Sequence, residues 1–394
     1  MFETLTPQPA DALLSLIGLF LNDRRSGKLD LGVGTYRDES GTTPILQVVK
    51  AAERHLLETQ TTKTYLGPEG DMRFVGLLRE IVAGPSDGLE GRLVGVQTPG
   101  GGGALRLGAD LIAMARPGAT LWLGTPTWPN HPPIFAAARL AVREYRCFDP
   151  HTQSVAFDET CAALSGAAAG DVVLLHGCCH NPTGADLSES QWDELVAILV
   201  GRDLIPFVDL AYQGLGRGLE PDAYGVRRVL GSVREALVAY SCDKNFGLYR
   251  ERTGALFMLA DTPSAADILW GNLLALARVN WSMPPDHGAA VVRAVLESTE
   301  LSQAWRGELE GMRQRIAAVR GALALCEPRL AFLARQHGMF SLLPLTRDEV
   351  GTARERHGIY MAGNGRCNLA GLRVADAERF VEALRAVSGF LAPP

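Results

Sequence analysis

A single lysine, Lys244, lies between an apolar run and a glycine in the stretch Ala239-Tyr240-Ser241-Cys242-Asp243-Lys244-Asn245-Phe246-Gly247. The apolar residues 236–240 predict a short buried strand. A lysine amine just beyond such a strand is shielded from water, which disfavours the ammonium form and leaves a nucleophilic neutral amine. Schiff-base chemistry with a carbonyl compound requires such an amine. A surface-loop lysine is the simpler alternative, so the rest of the chain has to decide between them.

Three features of the chain are suited to holding a phosphate. Ser241 and Arg252 flank the lysine, and a guanidinium binds phosphate through two parallel N–H groups. The glycines 100–103 precede a predicted helix that runs to Met114, and backbone N–H groups at a helix N-terminus form a cradle for an anion. Glycine runs also occur in plain turns, so the prediction of a three-sided phosphate site depends on all three features together.

Other polar residues also follow predicted strands. Asp209 would be a costly buried charge unless a cation, such as a protonated pyridine nitrogen, lies beside it. Asn181 and Tyr212 can hydrogen-bond a phenolic oxygen of the same ring. Trp128 can stack on an aromatic ring, although a tryptophan in a proline-rich loop is more often a packing residue. We interpret His131 as a support for Asp209 and not as a catalyst.

Strand-like and helix-like segments alternate along the middle of the chain. The predicted strands are 93–97, 119–123, 141–145, 171–176, 204–208, 236–240 and 254–259, and the predicted helices include 11–21, 44–58, 100–114 and 189–200. This alternation predicts an α/β fold with a mostly parallel sheet covered by helices on both faces. In such sheets ligands bind beyond the carboxyl ends of the strands. The polar residues described above lie at those ends.

The pattern changes after about residue 285. Residues 287–325 are largely helical, 340–343 and 359–361 predict strands, 365–371 predict a glycine-framed turn, and 376–387 predict a final helix. We therefore predict three parts. Residues 1–45 form an N-terminal arm and part of a small domain, residues 46–300 form the large ligand-binding domain, and residues 301–394 complete a small α+β domain.

The composition argues against several classes of function. The chain has 394 residues and a net charge of -6, so its charge does not favour nucleic acid or an anionic membrane as a partner. No apolar stretch is long enough to span a membrane, and the N-terminus lacks a signal-type apolar core. Seven scattered cysteines suit a reducing compartment, so we expect a soluble cytoplasmic protein. His176, Cys178, Cys179 and His180 match no zinc spacing, and we expect no metal site.

Four motifs resemble those of the aspartate and aromatic-amino-acid aminotransferases, which are fold-type-I pyridoxal-phosphate (PLP) enzymes. They are Thr127-Trp128-Pro129-Asn130-His131, His176-Gly177-Cys178-Cys179-His180-Asn181-Pro182-Thr183-Gly184, Asp209-Leu210-Ala211-Tyr212-Gln213-Gly214 and Lys244-Asn245-Phe246-Gly247. The resemblance extends from residues 31–34 to residues 365–371 and so covers nearly the whole chain. Residues 57–60, 249–254 and 358–361 are closer to the bacterial aromatic aminotransferases.

The resemblance implies a PLP cofactor and a homodimer with two shared active sites, and it assigns a role to each motif residue. Lys244 would form the Schiff base and move the proton, Asp209 would pair with the ring nitrogen, and Tyr212 and Asn181 would bind the ring oxygen. The other implied contacts are Trp128 stacking on the ring; Gly101, Gly102, Ser241, Arg252 and Tyr65 of the partner subunit at the phosphate; Gly34 and Arg366 at the substrate α-carboxylate, with Trp128 and Asn181 beside the substrate; and Arg278 of the partner subunit at a side-chain carboxylate. Thr125-Pro126 and Asn181-Pro182 are the candidate cis peptide bonds.

Two residues depart from the family pattern. Gly102 stands where the family usually has a hydroxyl residue, which predicts that one phosphate hydrogen bond is missing. Asp243 stands where a serine usually precedes the lysine. Its carboxylate would either stabilise the ammonium form of Lys244 or point to solvent. The resulting hypothesis is a weaker hold on the cofactor or an altered pH profile.

The predicted reaction is a ping-pong amino transfer between an aromatic or dicarboxylic L-amino acid and 2-oxoglutarate. The expected partners are small amino acids and 2-oxo acids. An aromatic preference with dicarboxylate activity is favoured, and aspartate aminotransferase is the alternative. Two rival functions are a PLP enzyme of the same fold that catalyses β-decarboxylation or elimination, and a non-catalytic PLP-fold binding protein. The complete set of Lys, Asp, Tyr, Asn and Arg argues against the second rival.

Overall fold

The computed structural model describes residues 2–7, 12–85 and 88–391. Thirteen helices occur in these residues: α1 (Ala12–Asn22), α2 (Gln47–Thr59), α3 (Met72–Ala83), α4 (Gly100–Ala115), α5 (His131–Ala137), α6 (Phe157–Ser165), α7 (Glu189–Gly201), α8 (Tyr224–Leu230), α9 (Pro263–Asn280), α10 (Asp286–Glu297), α11 (Thr299–Cys326), α12 (Arg347–His357) and α13 (Ala377–Val387). Four short 3₁₀ segments span Pro221–Ala223, Pro328–Arg335, Leu369–Gly371 and Val374–Asp376. Within these ranges, no helix is both long and apolar enough to cross a membrane.

The same residues contain thirteen strands, seven of which form one central sheet. They are β1 (Leu29–Asp30), β2 (Leu93–Pro99), β3 (Thr120–Thr125), β4 (Ala141–Arg146), β5 (Phe148–Asp149), β6 (Ser154–Val155), β7 (Val172–His176), β8 (Ile205–Leu210), β9 (Ala236–Ser241), β10 (Thr253–Leu259), β11 (Phe340–Leu342), β12 (Ile359–Tyr360) and β13 (Arg366–Asn368). The order in the central sheet is β2-β10-β9-β8-β7-β3-β4. Only β10 is antiparallel to its neighbours, β2 and β9.

Helices cover both faces of this sheet, because successive side chains of a strand point to opposite faces. In β9, Ala236, Val238 and Tyr240 pack into one apolar cluster with residues of α2, α3, α7, α8 and α10. Leu237 and Ala239 pack into a second cluster with residues of α4, α5 and α9. The prediction of an α/β fold with a mostly parallel, doubly covered sheet is confirmed.

A third apolar cluster joins the two ends of the chain. Leu29 and Leu31 pack there with residues of α12 and α13, and β1 pairs with β12. The 28-residue helix α11 links this cluster to the main core. Its first half contributes Trp305 to the main core, and its second half contributes Leu323 to the third cluster. The domain boundaries at residues 45 and 300 stay predictions.

The seven predicted sheet strands are confirmed, with ends shifted by at most two residues. The prediction of a turn over 365–371 is wrong, because Arg366–Asn368 forms strand β13, paired antiparallel with β11. Gly365 has a φ of 84° and marks the turn before this strand. The glycines therefore bound the strand instead of replacing it. Residues 1 and 8–11 of the predicted N-terminal arm lie outside the described residues.

Candidate active site

The position of Lys244 follows from the burial of β9. All six residues of β9 are buried between β8 and β10, and the lysine lies three residues beyond the strand. Its side chain is one-fifth exposed, and its Nζ lies 5.2 Å from the centre of the Tyr212 ring. Burial lowers the pKa of Lys244, while the negative charges of Asp243 and Asp209 act in the opposite direction. Burial thus shifts the amine toward its neutral form relative to a lysine in water.

The antiparallel strand β10 assembles the predicted phosphate cradle. Its register pairs Gly254 with Ser241 of β9 and with Thr98 of β2, which brings Arg252 beside the N-terminus of α4. Gly100 has a φ of 68°, which favours glycine, and a Cβ there would lie 2.5 Å from Nη2 of Arg252. A Cβ on Gly101 would lie 3.0 Å from Cβ of Ser241. The backbone amides of the α4 N-terminus, a hydroxyl and a guanidinium are therefore brought together.

A chain of hydrogen bonds supports Asp209 from behind. His131 is fully buried, its Nε2 lies 3.1 Å from Oδ2 of Asp209, and its Nδ1 lies 2.7 Å from Oγ1 of Thr127. Because a carboxylate only accepts, Nε2 of His131 is the donor to Asp209 and Nδ1 accepts from the threonine hydroxyl. The same hydroxyl lies 3.2 Å from Nε2 of His176. Burial holds the pKa of His176 well below its ordinary value, which keeps this imidazole neutral.

Three other predicted ring contacts surround this point. Asn181 is buried, and its Oδ1 has no hydrogen-bond partner among the described residues. Burial raises the pKa of Tyr212, which keeps its phenol protonated. Trp128 lies edge-on to His131 with ring centres 5.2 Å apart. The peptide bonds Thr125-Pro126 and Asn181-Pro182 are both cis, as predicted.

Arg366 closes the opposite side of the pocket from strand β13. Its Nη2 donates to the carbonyl of Gly32 at 2.8 Å, and its guanidinium lies 4.8 Å from the centre of the Phe340 ring. Its buried Nε has no hydrogen-bond partner in the described part of the chain. Burial lowers the pKa of this guanidinium. A Cβ on Gly34 would lie 2.8 Å from Cζ of Phe340, so this glycine leaves room for the ring.

The alternative in which Asp243 points to solvent is wrong. The residue is 3% exposed, and its carboxylate contacts Nη1 of Arg252 through Oδ2. Its Oδ1 accepts from the backbone N–H of Thr253 at 3.3 Å, and Oδ2 lies 4.0 Å from Nζ of Lys244. The return of β10 past the end of β9 covers this carboxylate, which the sequence alone did not reveal.

Arg252 is not part of the pocket wall, although it lies beside Gly100 next to that wall, and two further predicted site residues, Tyr65 and Arg278, are also absent from the wall. The side chain of Tyr65 is 89% exposed. Arg278, on the exposed side of α9, donates through Nη1 to Oγ of Ser282 at 2.8 Å. Their contribution from a partner subunit stays a prediction.

The cysteines beside the pocket form a compact group with a carboxylate. Ligand-type atoms of Cys178, Cys179 and Asp222 lie within 4.8 Å of one another. The Asp222 carboxylate already accepts from the backbone amides of Gly214, Gly216 and Arg217 at 2.7–2.9 Å. The group is therefore accounted for by the turn that it fixes after β8.

One pocket brings most of the predicted residues together. Its wall contains Gly34, Gly101, Gly102, Leu105, Trp128, His176, Asn181, Asp209, Ala211, Tyr212, Ser241, Lys244, Phe340 and Arg366. The sequence reasoning missed Leu105 and Phe340 as site residues. Both are apolar and have the pattern of ordinary core positions on α4 and β11, so no local signal distinguished them.

Comparison with known proteins gives a consistent result. The model of the family "aminotransferase class I and II" matches residues 26–384. A tyrosine aminotransferase from Rhizobium meliloti is 56% identical over 96% of this chain and 97% of its own length. An aspartate aminotransferase from Salmonella typhi is 43% identical over 98% of this chain and all of its own length.

A solved structure agrees with these sequence matches. It is an aromatic-amino-acid aminotransferase from Burkholderia pseudomallei covalently bound to pyridoxal phosphate, with a TM-score of 0.95 and 38% identity over 98% of this chain and 99% of that chain. The chain therefore belongs to the class I and II aminotransferases.

Proposed function

We propose that this protein is a PLP-dependent aminotransferase that transfers the amino group of aromatic and dicarboxylic L-amino acids to 2-oxoglutarate. The observation that carries the proposal is the position of the Lys244 amine. It is shielded from water in a pocket that also contains an anion cradle, a buried carboxylate and an arginine. A lysine amine with a lowered pKa is the nucleophile that Schiff-base chemistry uses.

The pocket residues fit PLP group by group. Gly101, at the N-terminus of α4, and Ser241 lie close together in the pocket wall. A helix N-terminus beside a hydroxyl suits a phosphate. Asp209 supplies a carboxylate for a protonated ring nitrogen. Asn181 is a buried amide on the pocket wall whose Oδ1 has no hydrogen-bond partner among the described residues, which supports a polar ligand at this point. When bound, PLP supplies an aldehyde that condenses with amines and a ring that withdraws electrons from the substrate.

The chain's own residues then have distinct tasks. In its neutral form, Nζ of Lys244 takes the proton from the substrate Cα. The resulting ammonium then donates the same proton to complete the amino transfer. Asp209 keeps the ring nitrogen protonated, and the hydrogen bond from Nε2 of His131 fixes the carboxylate for that role. The protonated Tyr212 phenol donates a hydrogen bond to the ring oxygen. Arg366 binds the substrate carboxylate through its free Nε and the adjacent N–H.

The dual substrate range has support on both sides. Leu105, Trp128 and Phe340 give the pocket apolar walls that suit an aromatic ring. A second carboxylate requires a second cation, and we assign this role to Arg278 of the partner subunit. An aspartate aminotransferase is the second candidate, since relatives with that activity match as much of the chain as the aromatic enzymes do.

We further propose that the enzyme is a homodimer in the cytoplasm. Leu57, Tyr65 and Val279 are each at least 85% exposed, and a partner subunit that supplies Tyr65 and Arg278 to the site would cover apolar side chains near these positions. The seven cysteines are free thiols, as suits a reducing compartment.

A steady-state panel tests the reaction. L-Tyrosine, L-phenylalanine, L-tryptophan and L-aspartate are each assayed with 2-oxoglutarate, following the 2-oxo acid product and pyridoxamine phosphate. We expect parallel-line ping-pong kinetics and loss of turnover in Lys244→Ala. Release of ammonia or carbon dioxide in place of a 2-oxo acid would favour elimination or β-decarboxylation, and full activity of Lys244→Ala would contradict the enzyme proposal.

Hybrid dimers test the shared site. Lys244→Ala and Arg278→Ala variants are assayed with L-aspartate alone and after subunit exchange. In a mixed dimer one of the two sites regains both native residues, so the mixture should recover up to about a quarter of the wild-type activity. No recovery, with exchange verified by mass, would place Arg278 outside the partner's site.

A further inference from the structure

Asp243 places a buried negative charge in the wall of the anion cradle. It precedes Lys244 in sequence, its carboxylate contacts Arg252, and its backbone N–H donates to Oγ of Ser241 at 3.2 Å. A Cβ on Gly100 would lie 3.2 Å from Oδ2 of Asp243. The carboxylate is therefore next to the N-terminus of α4 and to Arg252, while the backbone of the same residue contacts Ser241.

The surroundings hold the ion pair of Asp243 and Arg252 firmly in place. Arg252 has a φ of 53°, in the left-handed region that non-glycine residues rarely adopt, and its Nη1 also donates to the carbonyl of Tyr249 at 3.3 Å. The N–H of Thr253 fixes the other carboxylate oxygen. The side chain of Asp243 is 4% exposed and that of Arg252 is 46% exposed. Solvent therefore screens the guanidinium far more than it screens the carboxylate.

Two opposite effects of such a pair on a bound phosphate are conceivable. The carboxylate can orient the guanidinium for the phosphate, or it can take up the positive charge and repel the second anion. Oδ2 of Asp243 lies beside Gly100 at the N-terminus of α4 and 4.0 Å from the Lys244 amine, so the negative charge is close to the groups assigned to the phosphate. A phosphate held by these groups would lie within a few ångströms of the buried carboxylate, and two like charges that close, screened by protein and not by water, repel each other.

We propose that the Asp243 carboxylate competes with the cofactor phosphate for Arg252 and so weakens the binding of the phosphate. The inference rests on the proposed function and deepens it, because it makes Asp243 the residue that sets how easily the enzyme gains and loses its phosphorylated cofactor. Lys244 holds the cofactor through its aldehyde, while Asp243 weakens the hold on its phosphate.

The test compares affinities for a phosphorylated and a non-phosphorylated ligand. Full-length wild type, Asp243→Asn and Asp243→Ser are brought to equilibrium by dialysis with PLP or with pyridoxal, and bound ligand is measured by visible absorbance. We expect both substitutions to lower the Kd for PLP about tenfold or more, because like charges a few ångströms apart repel by several RT at an effective dielectric constant of about 20, and a tenfold change requires about 2.3 RT. The Kd for pyridoxal, which lacks the phosphate, should change less than threefold.

Inorganic phosphate gives a readout without any Schiff base. Displacement of PLP by phosphate would depend on both the aldehyde and the phosphate of PLP. Phosphate binding is therefore measured directly, by calorimetry on cofactor-free wild type and Asp243→Asn. The substitution should tighten phosphate binding. Glu235→Gln is the matched control, because Glu235 is an exposed carboxylate at the opposite end of β9 and its removal changes the net charge equally. We expect this control to leave all three affinities unchanged.

Each outcome decides between the two roles of Asp243. A weaker hold on PLP in both variants, or equal tightening of PLP and pyridoxal, would overturn the proposal. The Arg252→Ala background adds a second criterion. The competition for Arg252 is absent there, but the carboxylate still repels phosphate directly, so Asp243→Asn should tighten PLP binding by a smaller factor than in the protein with Arg252, whereas a residue that only orients Arg252 should have no effect. If wild type binds neither PLP nor pyridoxal, the proposed function fails first and independently of Asp243.

Discussion

Replacing Arg366 by lysine tests how the substrate carboxylate is bound. The arginine uses Nη2 on the Gly32 carbonyl at 2.8 Å and has a free buried Nε, so it can offer a carboxylate two parallel N–H groups without losing its anchor. A lysine offers one compact ammonium and cannot serve both partners in this geometry. The substitution should therefore remove one charge-assisted hydrogen bond, and it should also weaken the contact with Gly32.

The size of the effect on kcat/KM follows from the lost hydrogen bond to the substrate. A hydrogen bond to a charged group contributes about 1.5–3 kcal/mol, whereas the weakened contact with Gly32 affects the free enzyme and the transition state alike. Because the lysine keeps the charge, we expect a loss of about 1.5–3 kcal/mol, which lowers kcat/KM about 10- to 150-fold.

The assay separates carboxylate binding from general damage. kcat/KM is measured for L-tyrosine and for tyramine, which has the same amine and ring but no carboxylate. Only the value for L-tyrosine should fall in Arg366→Lys. Arg315→Lys is the control, because Arg315 also donates to backbone carbonyls, including that of Leu372 at 2.9 Å, but does not line the pocket. Equal losses for both substrates, or an equal loss in the control, would refute the assignment.

Three further substitutions probe the surroundings of the site. Trp305→Phe removes the 2.9 Å hydrogen bond from Nε1 to the Asn245 carbonyl, so urea unfolding should show a loss of about 1–3 kcal/mol. His180→Asn should flatten the acid side of the stability profile. Burial lowers the pKa of His180 to about 3, so protonation favours the unfolded chain, and stability is complete above about pH 6.5 and falls by about 1.4 kcal/mol per pH unit below it. Unfolding at pH 5 and pH 7 measures the difference, and identical slopes in wild type and variant would contradict it. Gly34→Ala should displace the Phe340 ring and lower kcat/KM for L-tyrosine, with a loss of transition-state stabilisation of about 1–3 kcal/mol and no loss of bound cofactor.

The sequence predicted the parts of the site that have local signals. An apolar run followed by polar residues identified the strand ends that carry Asn181, Asp209 and Lys244, because parallel strands present their carboxyl ends at one edge. Glycines 100–103 identified the helix N-terminus beside them. These predictions needed only periodicity and residue type, which short segments of chain already determine.

Long-range packing explains what the sequence did not predict. Arg366 lies in a regular strand only because β11 lies beside it. The paired residues Leu342 and Arg366 are 24 positions apart in the chain. Phe340 faces the pocket only because Gly34, from the N-terminal region, leaves space for its ring. The burial of Asp243 depends on the return of the chain through Arg252. The residues adjacent in sequence give no indication of these long-range contacts.

The direction of β10 accounts for the most unusual part of the site. A strand parallel to β9 would start at the opposite edge of the sheet, and a crossover connection would carry Arg252 away from Ser241. Because β10 runs antiparallel, its first residue lies at the carboxyl end of β9, and the short connection 242–252 both starts and ends at that end of the sheet. The same return covers Asp243 and delivers its guanidinium partner. The phosphate cradle and the carboxylate that competes with it thus have one structural cause, and a substitution that displaces this connection should alter both together.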